Sequence, residues 1–450
     1  MGKLFGTDGV RGVANSELTP LLAFNLGRAG AYVLTKENKY TPKILVGMDT
    51  RRSGHMLEAA LTAGMCSVGA TVISAGVIPT PAVAYLTRVH NLDAGVMISA
   101  SHNPMPDNGI KFFNSQGYKL RDELEDEIEE IMFNGLDSLP SPTGEGVGLR
   151  QEFEGALDEY MGFLKSTFKG EDLQGLKVAI DCANGATYEA APLTLYELNA
   201  ELSVIHNEPN TCNINQDCGS THMGSLIEFV KENKMDIGLA FDGDGDRCLC
   251  VDENGEIVAG DEIMAICGSY MKEKGLLRSN TIIATIMSNL GLSIMGREHG
   301  ITIEQTKVGD RYVLERMIEG GFSFGGEASG HMIFLDHNTT GDGILTALQL
   351  LSIMKETGKT LSQLKQIMQI LPQVLINARV SNEKKTNYLT DEAIQVKIQE
   401  LENKFAGEGR VVIRHSGTEP LVRIMIEGRD AEVMQRSAEK LAKYMESVMN

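Results

Sequence analysis

The chain has 450 residues, of which 42% are hydrophobic and 23% are charged, and its formal net charge is −20. This composition is that of an ordinary globular protein and excludes a largely disordered chain, while the length predicts about three domains. The acidic charge argues against a nucleic-acid-binding protein, because that class neutralises phosphates with lysine and arginine.

Seven cysteines without a C-x-x-C pair are typical of reduced thiols in a cytosolic protein. The chain opens on no apolar signal segment, and no apolar run approaches the roughly 18 residues of a membrane span. We therefore expect a cytoplasmic protein with neither a membrane nor a nucleic-acid partner. The sequence leaves the oligomeric state open, with a homodimer as one arrangement.

Predicted secondary structure begins with a helix at Pro20, for which Thr19 is the N-cap. Short apolar runs then alternate with helical stretches in three rounds, and each round has the spacing of βαβ units. The predicted strands are 43–47, 70–75 and 94–99; 176–181, 200–205 and 236–241; and 281–286, 301–305 and 321–324. This alternation predicts three mostly parallel, doubly wound α/β domains.

The pattern changes after residue 372. Strands are predicted at 374–380, 410–414 and 421–427, with helices at 391–404 and at the end of the chain. This combination is typical of a smaller α+β domain. Together with a loop rich in proline, glycine and serine at 138–144 and a hairpin signal at 252–256, it gives four predicted domains. Their predicted bounds are 1–153, 154–254, 255–370 and 371–450.

A chemically distinctive loop follows the third predicted strand of each round. These loops are the serine loop at 99–104, the aspartate loop at 242–247 and the loop at 325–331. Because open α/β sheets bind ligands at the carboxyl ends of their strands, we expect the three loops to contribute to one site.

In the aspartate loop, Asp242, Asp244 and Asp246 alternate with glycine, like the first ligands of an EF-hand calcium loop. Arg247 stands where that motif needs glycine, and the flanking segments are predicted to be a strand and a hairpin, so an EF-hand is excluded. Three carboxylates after a buried strand instead predict a Mg²⁺ site with room for a phosphate oxygen. A polar turn with solvated aspartates is the alternative.

In the serine loop, Ser101 stands beside His102 and can carry a phosphoryl group. A phosphoserine has about two negative charges, which the metal, His102, Lys111 and Arg247 could balance. We place Lys111 in this same loop. The alternatives are an ordinary turn serine and an exposed lysine.

Two further segments suggest ligand contacts. In residues 414–420, together with Arg423, a guanidinium, hydroxyls and glycine amides are combined as in a phosphate site, although a plain hairpin turn has the same pattern. Glu327 and Ser329 form either a capping turn or a pair that binds sugar hydroxyls. Several other histidines, His206 among them, have no companions at ligand spacing and are predicted to be structural or surface residues.

With these segments in this order, the chain resembles the α-D-phosphohexomutase superfamily. The resemblance rests on four motifs: the serine loop, the aspartate loop, the Gly-Glu-x-Ser-Gly-His motif at 326–331 and the C-terminal phosphate loop. It implies three similar doubly wound, mixed-sheet α/β domains plus a smaller C-terminal α+β domain, arranged round a central cleft.

The resemblance also implies residue roles. Ser101 would be the phosphoserine, and its phosphate would join Asp242, Asp244 and Asp246 around Mg²⁺. Lys111 would be the general base or acid, with His102 and Arg247 as charge partners and Arg11 near the phosphoserine. The residues that would bind substrate are Glu327, Ser329 and His331 at the sugar, and Arg414, Ser416, Gly417, Thr418 and Arg423 at the phosphate that is not transferred.

Residues 5–12 and 306–313 resemble the glucosamine branch of the superfamily, whereas the mannose/glucose branch tends to have histidine at the position of Asp310. An acid there suits a cationic 2-amino sugar. The implied activity is an isomerase that interconverts glucosamine 6-phosphate and glucosamine 1-phosphate, for UDP-N-acetylglucosamine and peptidoglycan precursors. Glucosamine 1,6-bisphosphate or glucose 1,6-bisphosphate would be its intermediate or activator.

Three other functions stay open from the sequence. A phosphomannomutase/phosphoglucomutase would use the same chemistry on another sugar. A metal-dependent phosphatase would use water as the acceptor and release inorganic phosphate. A calcium- or sugar-binding protein without catalysis is disfavoured by the failed EF-hand pattern.

Overall fold

The computed structural model describes residues 4–6, 8–38, 40–406, 409–416 and 420–450. The chain forms two compact units, Met1–Met287 with Ile301–Ile367 and Ser288–Gly300 with Met368–Asn450. The larger unit holds three α/β sheets, and the smaller unit holds a three-stranded sheet. The predicted fold class, three α/β domains and a smaller C-terminal α+β domain, is confirmed.

The first sheet has six strands in the order β1-β5-β4-β2-β3-β6. Its strands are β1 (Val10–Val13), β2 (Lys43–Met48), β3 (Thr71–Val77), β4 (Ala94–Ile98), β5 (Asp107–Asn114) and β6 (Arg150–Glu152). Its helices are α1 (Pro20–Thr35), α2 (Gly54–Ser67), α3 (Thr80–Val89) and α4 (Asp122–Glu130). As predicted, α1 begins at Pro20, and the Thr19 side chain caps it by accepting from the Leu22 amide.

The second sheet has five strands in the order β11-β10-β9-β7-β8. They are β7 (Lys177–Asp181), β8 (Glu201–Ile205), β9 (Ile237–Phe241), β10 (Cys248–Asp252) and β11 (Ile257–Val258). The helices of this region are α5 (Ala156–Thr167), α6 (Ala190–Glu197) and α7 (Gly224–Asn233). The next helix, α8 (Gly260–Glu273), packs on the third sheet. Every residue of β9 is buried, which explains why its sequence is a continuous apolar run.

The third sheet has four strands in the order β13-β12-β14-β15. They are β12 (Thr281–Thr285), β13 (Thr302–Thr306), β14 (Phe324–Gly326) and β15 (Met332–Phe334). In chain order the helices are α9 (Leu290–His299), which belongs to the smaller unit, and α10 (Asp310–Gly320), α11 (Gly343–Thr357) and α12 (Leu361–Leu364).

The smaller unit has an antiparallel sheet in the order β16-β18-β17. It comprises β16 (Gln373–Arg379), β17 (Arg410–His415) and β18 (Leu421–Glu427), with α13 (Glu392–Phe405) and α14 (Ala431–Met449). Apolar side chains of both helices and of the sheet form its core, including Ile394, Ile424 and Met434.

The three larger sheets share one strand order. In each sheet the first strand of a round lies between the second and the third, parallel to both, and the third pairs with an antiparallel fourth. The fourth strands are β5, β10 and β15. The serine loop, the aspartate loop and the 325–331 loop therefore occupy the same position, the hairpin between the third and fourth strands.

The hairpin predicted at 252–256 is confirmed, because it joins β10 to β11. The sequence did not predict the fourth strand β5, and one site assignment is corrected as a result. Lys111 does not lie in the serine loop but within β5, opposite Met97 of β4, and its side chain is buried. A strand that pairs with its predecessor across a long loop has no two-residue turn signal, so its polar residues resembled loop residues.

The described residues include no helix long and apolar enough to cross a bilayer.

Candidate active site

The serine loop joins β4 to β5 and places Ser101 in the left-handed region, with φ of 51°. Ser101 is buried, and its backbone N–H donates to Ser99 Oγ at 2.9 Å. Ser99 Oγ in turn donates to Asp49 Oδ2 at 2.6 Å. Because non-glycine residues rarely adopt this backbone conformation, neighbouring groups must hold it.

Arg51 supplies most of that support. Its guanidinium is buried and uses all five N–H donors. Nε donates to Asp49 Oδ2 at 2.9 Å, and the two terminal nitrogens donate to four carbonyls of the loop and the start of β5. These acceptors are the oxygens of Ser101 (2.9 Å), Asn103 (2.8 Å), Pro104 (2.6 Å) and Asp107 (3.1 Å).

The second domain contacts the same loop. The Asn215 amide donates to the Ser101 carbonyl at 2.8 Å and to that of Asn103 at 3.0 Å. At Gly243, a Cβ would lie 2.5 Å from the Ser101 carbonyl oxygen, so only glycine allows the aspartate loop to approach this closely. The serine and aspartate loops are thus in direct contact.

The aspartate loop forms a buried cluster of three carboxylates. Oxygens of Asp242, Asp244 and Asp246 lie within 4.8 Å of one another, and Ser101 Oγ donates to Asp242 Oδ2 at 2.7 Å. Burial and repulsion from the other two aspartates raise the pKa of Asp242 well above its ordinary value. Asp244 Oδ1 and Asp246 Oδ1 are buried with no hydrogen-bond partner among the described residues. Clustered, unsatisfied carboxylate oxygens fit a hard divalent cation such as Mg²⁺.

Lys111 is the cation of this cluster. Its Nζ lies 2.8 Å from Asp244 Oδ2, 3.0 Å from Asp8 Oδ2 and 3.9 Å from Asp246 Oδ2. Burial disfavours its charge, but these carboxylates outweigh burial and raise the pKa of Lys111 above its ordinary value. The same contact, with a hydrogen bond from Thr80 Oγ1 at 2.6 Å, lowers the pKa of Asp244 despite burial.

A second lysine extends the network. Lys119 Nζ donates to Asp8 Oδ1 at 2.6 Å and also binds Asp310. Burial opposes ionisation of Asp310, but Lys119 and His331 lower its pKa. The negative charge of Asp310, predicted to suit an amino sugar, is therefore already compensated by a lysine of the chain.

The predicted charge partners lie around the cluster. Arg247 Nε is 3.7 Å from Asp246 Oδ1 and 4.0 Å from Asp242 Oδ2, and Arg11 pairs with Asp8. His102 Nδ1 lies 3.3 Å from Ser101 Oγ. Burial, Arg247 and Arg11 lower the pKa of His102, which favours the neutral ring here over the predicted positive charge.

The third loop, 325–331, contributes side chains that make fewer hydrogen bonds than those of the serine loop. Glu327 and Ser329 are half-buried, and Glu327 Oε1 accepts from the Gly309 amide at 3.2 Å. Neither ring nitrogen of the buried His331 has a hydrogen-bond partner among the described residues. Its Nε2 lies 3.6 Å from Asp310 Oδ2 and 3.9 Å from Asp246 Oδ2.

The predicted phosphate residues belong to the smaller unit. Arg414 on β17 stands opposite Arg423 on β18, and the buried Ser416 donates its amide to the Leu421 carbonyl at 2.9 Å. The other two predicted residues, Gly417 and Thr418, lie outside the described residues. Two arginines opposite each other at a strand end provide the cationic surface that a phosphate binds.

Family models of the phosphoglucomutase/phosphomannomutase alpha/beta/alpha domains I, II and III match residues 2–138, 158–255 and 259–371, and that of the C-terminal domain matches 375–444. A phosphoglucosamine mutase of Ruminiclostridium cellulolyticum is 65% identical over 99% of both chains. One of Clostridium novyi is 58% identical over the whole of both. The chain belongs to the phosphoglucosamine mutase family.

Solved structures of the phosphohexomutases share the fold of this family member. A phosphoglucomutase/phosphomannomutase family protein of Burkholderia thailandensis superposes with a TM-score of 0.82 at 22% identity, covering 99% of this chain and 97% of its own. An Aspergillus fumigatus N-acetylphosphoglucosamine mutase, solved with GlcNAc-6P and magnesium, gives 0.69 at 16% identity, covering 99% and 96%. The identification of the chain as a phosphohexomutase of the glucosamine branch is confirmed.

Several residues of this phosphoglucosamine mutase family site were missed in the sequence. Asp49 and Arg51 follow the predicted strand at 43–47, where the carboxyl-end rule could have found them. Asn215 and Lys119 had no such signal, since they lie in irregular segments whose placement depends on tertiary contacts. Asp8 is part of the N-terminal segment quoted for the resemblance, but its pairing with Lys111 and Lys119 required the structure.

Proposed function

We propose that the chain interconverts glucosamine 6-phosphate and glucosamine 1-phosphate through phosphorylated Ser101 and a 1,6-bisphosphate. The observation that carries the proposal is the position of Ser101 Oγ, 2.7 Å from Asp242 in a buried three-carboxylate cluster of a chain 65% identical to a phosphoglucosamine mutase. A hydroxyl in such a cluster suits phosphoryl transfer better than hydrolysis, because burial keeps water away from it.

In the forward direction, the 1-hydroxyl of glucosamine 6-phosphate attacks phosphorylated Ser101. The bond between phosphorus and Oγ breaks, a new bond forms to the sugar O1, and the hydroxyl proton leaves O1. The bisphosphate then turns, and Ser101 Oγ attacks its 6-phosphoryl group. A bond forms from Oγ to phosphorus and the bond from phosphorus to O6 breaks, Oγ gives up its proton and O6 gains one, which releases glucosamine 1-phosphate. No phosphate is lost, and the phosphoserine is restored at the end of each cycle.

Residues Asp242, Asp244 and Asp246 would hold Mg²⁺, whose charge would offset that of the phosphoryl group. The Aspergillus fumigatus enzyme, solved in one structure with magnesium and in another with glucose 1,6-bisphosphate, supports both ligands. Arg247 lies on the same cluster and adds a fixed positive charge. Chelation should therefore abolish turnover, and added Mg²⁺ should restore it.

Lys111 is suited to donate a proton. Three carboxylates, at 2.8, 3.0 and 3.9 Å from Nζ, keep it an ammonium. They also make it a weaker acid than an ordinary lysine, so it gives up its proton only to a strongly basic acceptor such as the serine oxygen as that oxygen leaves. The acid role of the earlier alternatives is thus favoured over the base role. His102, neutral and 3.3 Å from Ser101 Oγ, is the nearby group able to accept one.

The activity is tested by a coupled assay that compares glucosamine, glucose and mannose 6-phosphates, with inorganic phosphate measured in parallel. We expect the largest kcat/KM with the glucosamine compound and no phosphate release. Preference for mannose or glucose would assign the chain to the other branch. Stoichiometric phosphate release would indicate a phosphatase and contradict the proposal.

The phosphate that is not transferred is assigned to Arg414, Ser416 and Arg423, with Gly417 and Thr418. Arg414→Ala should raise KM for both sugar monophosphates and reduce kcat/KM by roughly 1.5–3 kcal/mol, the range for a charge-assisted hydrogen bond. Arg436→Ala, at an exposed arginine of α14, is the matched control. An unchanged KM, or loss of phosphate from Ser101, would contradict this role.

Location and assembly belong to the same proposal. We place the enzyme in the cytoplasm, where sugar phosphates are available as ligands, and we propose a homodimer. All seven cysteines lie within the described residues and none forms a disulfide, which suits a reducing compartment. Light scattering of the purified protein would test the dimer.

A further inference from the structure

We propose a second metal site, formed by Asp181, His206 and Cys218, that takes a zinc-class transition metal and is separate from the three-aspartate cluster. One carboxylate oxygen, one imidazole nitrogen and the thiol sulfur lie within 4.8 Å of one another. This proposal goes beyond the mutase activity and does not depend on it.

The three donors come from separate parts of the second domain. Asp181 is the last residue of β7, His206 follows β8 directly, and Cys218 precedes a short turn that begins at Gly219. Nothing in the sequence brings them together, which is why His206 was predicted to be a structural or surface residue. The parallel pairing of β7 and β8 places the first two side by side.

The environment is that of a partly enclosed ligand set. Asp181 and Cys218 are fully buried, whereas 29% of the His206 side chain is exposed and gives the site access to solvent. Asp181 is already oriented, because its Oδ1 accepts from the Ala183 amide at 2.8 Å and its Oδ2 from the Gly219 amide at 2.9 Å. Orientation of a ligand by second hydrogen bonds is a common property of metal sites.

The distances are close to those of a tetrahedral ion. His206 Nδ1 lies 3.0 Å from Asp181 Oδ2. Around zinc, bonds of about 2.0–2.3 Å place neighbouring ligand atoms roughly 3.3–3.7 Å apart. The nitrogen and oxygen need to separate by a few tenths of an ångström, and the sulfur stands within reach.

The donor set determines the class of metal. Nitrogen, oxygen and sulfur together suit zinc or cobalt, whereas the all-oxygen cluster of Asp242, Asp244 and Asp246 suits magnesium. Binding must release a proton, since a free cysteine thiol is protonated at neutral pH and binds a metal as the thiolate. The proton on His206 Nδ1 would likewise leave or move to Nε2.

Such an ion would stabilise a segment that reaches the active site. His206 and Cys218 flank the stretch that carries Asn215, whose amide donates to the carbonyl oxygens of Ser101 and Asn103. An ion bound at both ends of this stretch would therefore restrict the movement of Asn215. Its role would be structural, with no part in the transfer itself.

Cobalt(II) absorption provides the test, because a thiolate ligand gives an intense near-ultraviolet charge-transfer band that an all-oxygen site cannot give. Co²⁺ is titrated into the full-length, reduced protein in the presence of excess Mg²⁺, and Zn²⁺ is then added as competitor. We expect the band to saturate at one equivalent and to disappear with Zn²⁺. Proton release into a weakly buffered solution should accompany it.

Matched cysteine variants locate the ligand. Cys218→Ser should remove the band, whereas Cys212→Ser, in the same segment, should keep it. If Cys218→Ser does not fold, His206→Gln tests the site instead, with an expected loss of Co²⁺ affinity of at least about tenfold. No band, a band that persists in Cys218→Ser, or unchanged affinity in folded His206→Gln would overturn the proposal and leave only a hydrogen bond between Asp181 and His206.

Discussion

The serine loop and the 325–331 loop occupy the same position in two sheets of the same strand order, but different kinds of hydrogen bond fix their conformations. In the serine loop, Arg51 donates to three carbonyls, besides one at the start of β5, and Asn215 donates to two of the same three. In the other loop, backbone bonds such as Gly330 N–H to the Glu327 carbonyl form the turn. There the buried His331 ring has no hydrogen-bond partner among the described residues.

We propose that the difference corresponds to different tasks. A nucleophile that must meet phosphorus in line gains from a fixed backbone, because small displacements reduce the rate strongly. A loop that recognises sugar hydroxyls must instead keep polar groups unsatisfied until the ligand arrives. The comparison predicts that changes near Ser101 affect kcat, and changes near Ser329 affect KM.

The largest effect is expected from removal of the Ser101 hydroxyl, and the Ser329 hydroxyl provides the comparison. Ser101→Ala should reduce kcat roughly 10⁴-fold or more, since it removes the group that forms the covalent intermediate. Ser329→Ala should raise KM by up to about tenfold, the value of one hydrogen bond, with little change in kcat. Steady-state kinetics of both variants, with circular dichroism to verify folding, make the comparison. Similar losses of kcat in the two would show that the loops do not divide the work in this way.

Arg51→Lys should have the next largest effect. Lysine has fewer donors and no planar fork, so at least two of the four carbonyls lose their hydrogen bond to this side chain. We expect kcat to fall by about 10²-fold, the melting temperature to fall, and KM to stay near its original value. Arg52→Lys, at the exposed neighbouring arginine, is the control and should be silent. A folded Arg51→Lys enzyme with normal kcat would contradict the positioning role.

His331→Gln should reduce kcat/KM by about tenfold. The ring nitrogens are buried and unsatisfied in this structure, which is expected of groups that bind substrate. His337→Gln, after β15 and outside the loop, is the control. If His331→Gln raises stability and leaves kcat/KM unchanged, the ring is a structural residue with an unmet hydrogen bond.

Asn215→Ala should have the smallest effect, a fall in kcat of roughly threefold to tenfold. Its two hydrogen bonds are to carbonyls that Arg51 also satisfies, so their loss leaves no carbonyl without a partner. Asn213→Ala is the control, because the Asn213 amide binds the Glu208 carbonyl of its own segment. A larger loss in Asn215→Ala than in Arg51→Lys would reverse the order proposed here.

The sequence predicted the parallel parts of the fold well. The predicted strand at 43–47 became β2, and the helix capped by Thr19 became α1, because burial and capping act locally. The antiparallel strand β5 was missed, since it mixes Asp107, Asn108 and Lys111 with apolar residues. A lysine in a sequence usually indicates an exposed residue, but Lys111 is buried against carboxylates of the site, so the sequence pattern did not indicate a buried strand there.

The residues of the candidate site likewise divide into those that the sequence predicted and those that it did not. Ser101 and the three aspartates were found because each lies in a compact motif directly after a buried strand. Lys119 and His206 could not be assigned, because their partners are distant in sequence: Lys119 reaches Asp8 and Asp310, and His206 reaches Asp181. Arg51 follows a predicted strand, but its partners in the 101–107 segment are equally distant. Only the folded chain defines these contacts.

We propose that phosphorylated Ser101 gives its phosphoryl group to the sugar. Enzyme carrying radioactive phosphate on Ser101 can be mixed with glucosamine 6-phosphate for less than one turnover, and the products separated. We expect the label to leave the protein and to appear first in the bisphosphate and then in sugar monophosphates, with none as inorganic phosphate. Label that stays on Ser101 while turnover continues, or that appears as inorganic phosphate, would contradict it.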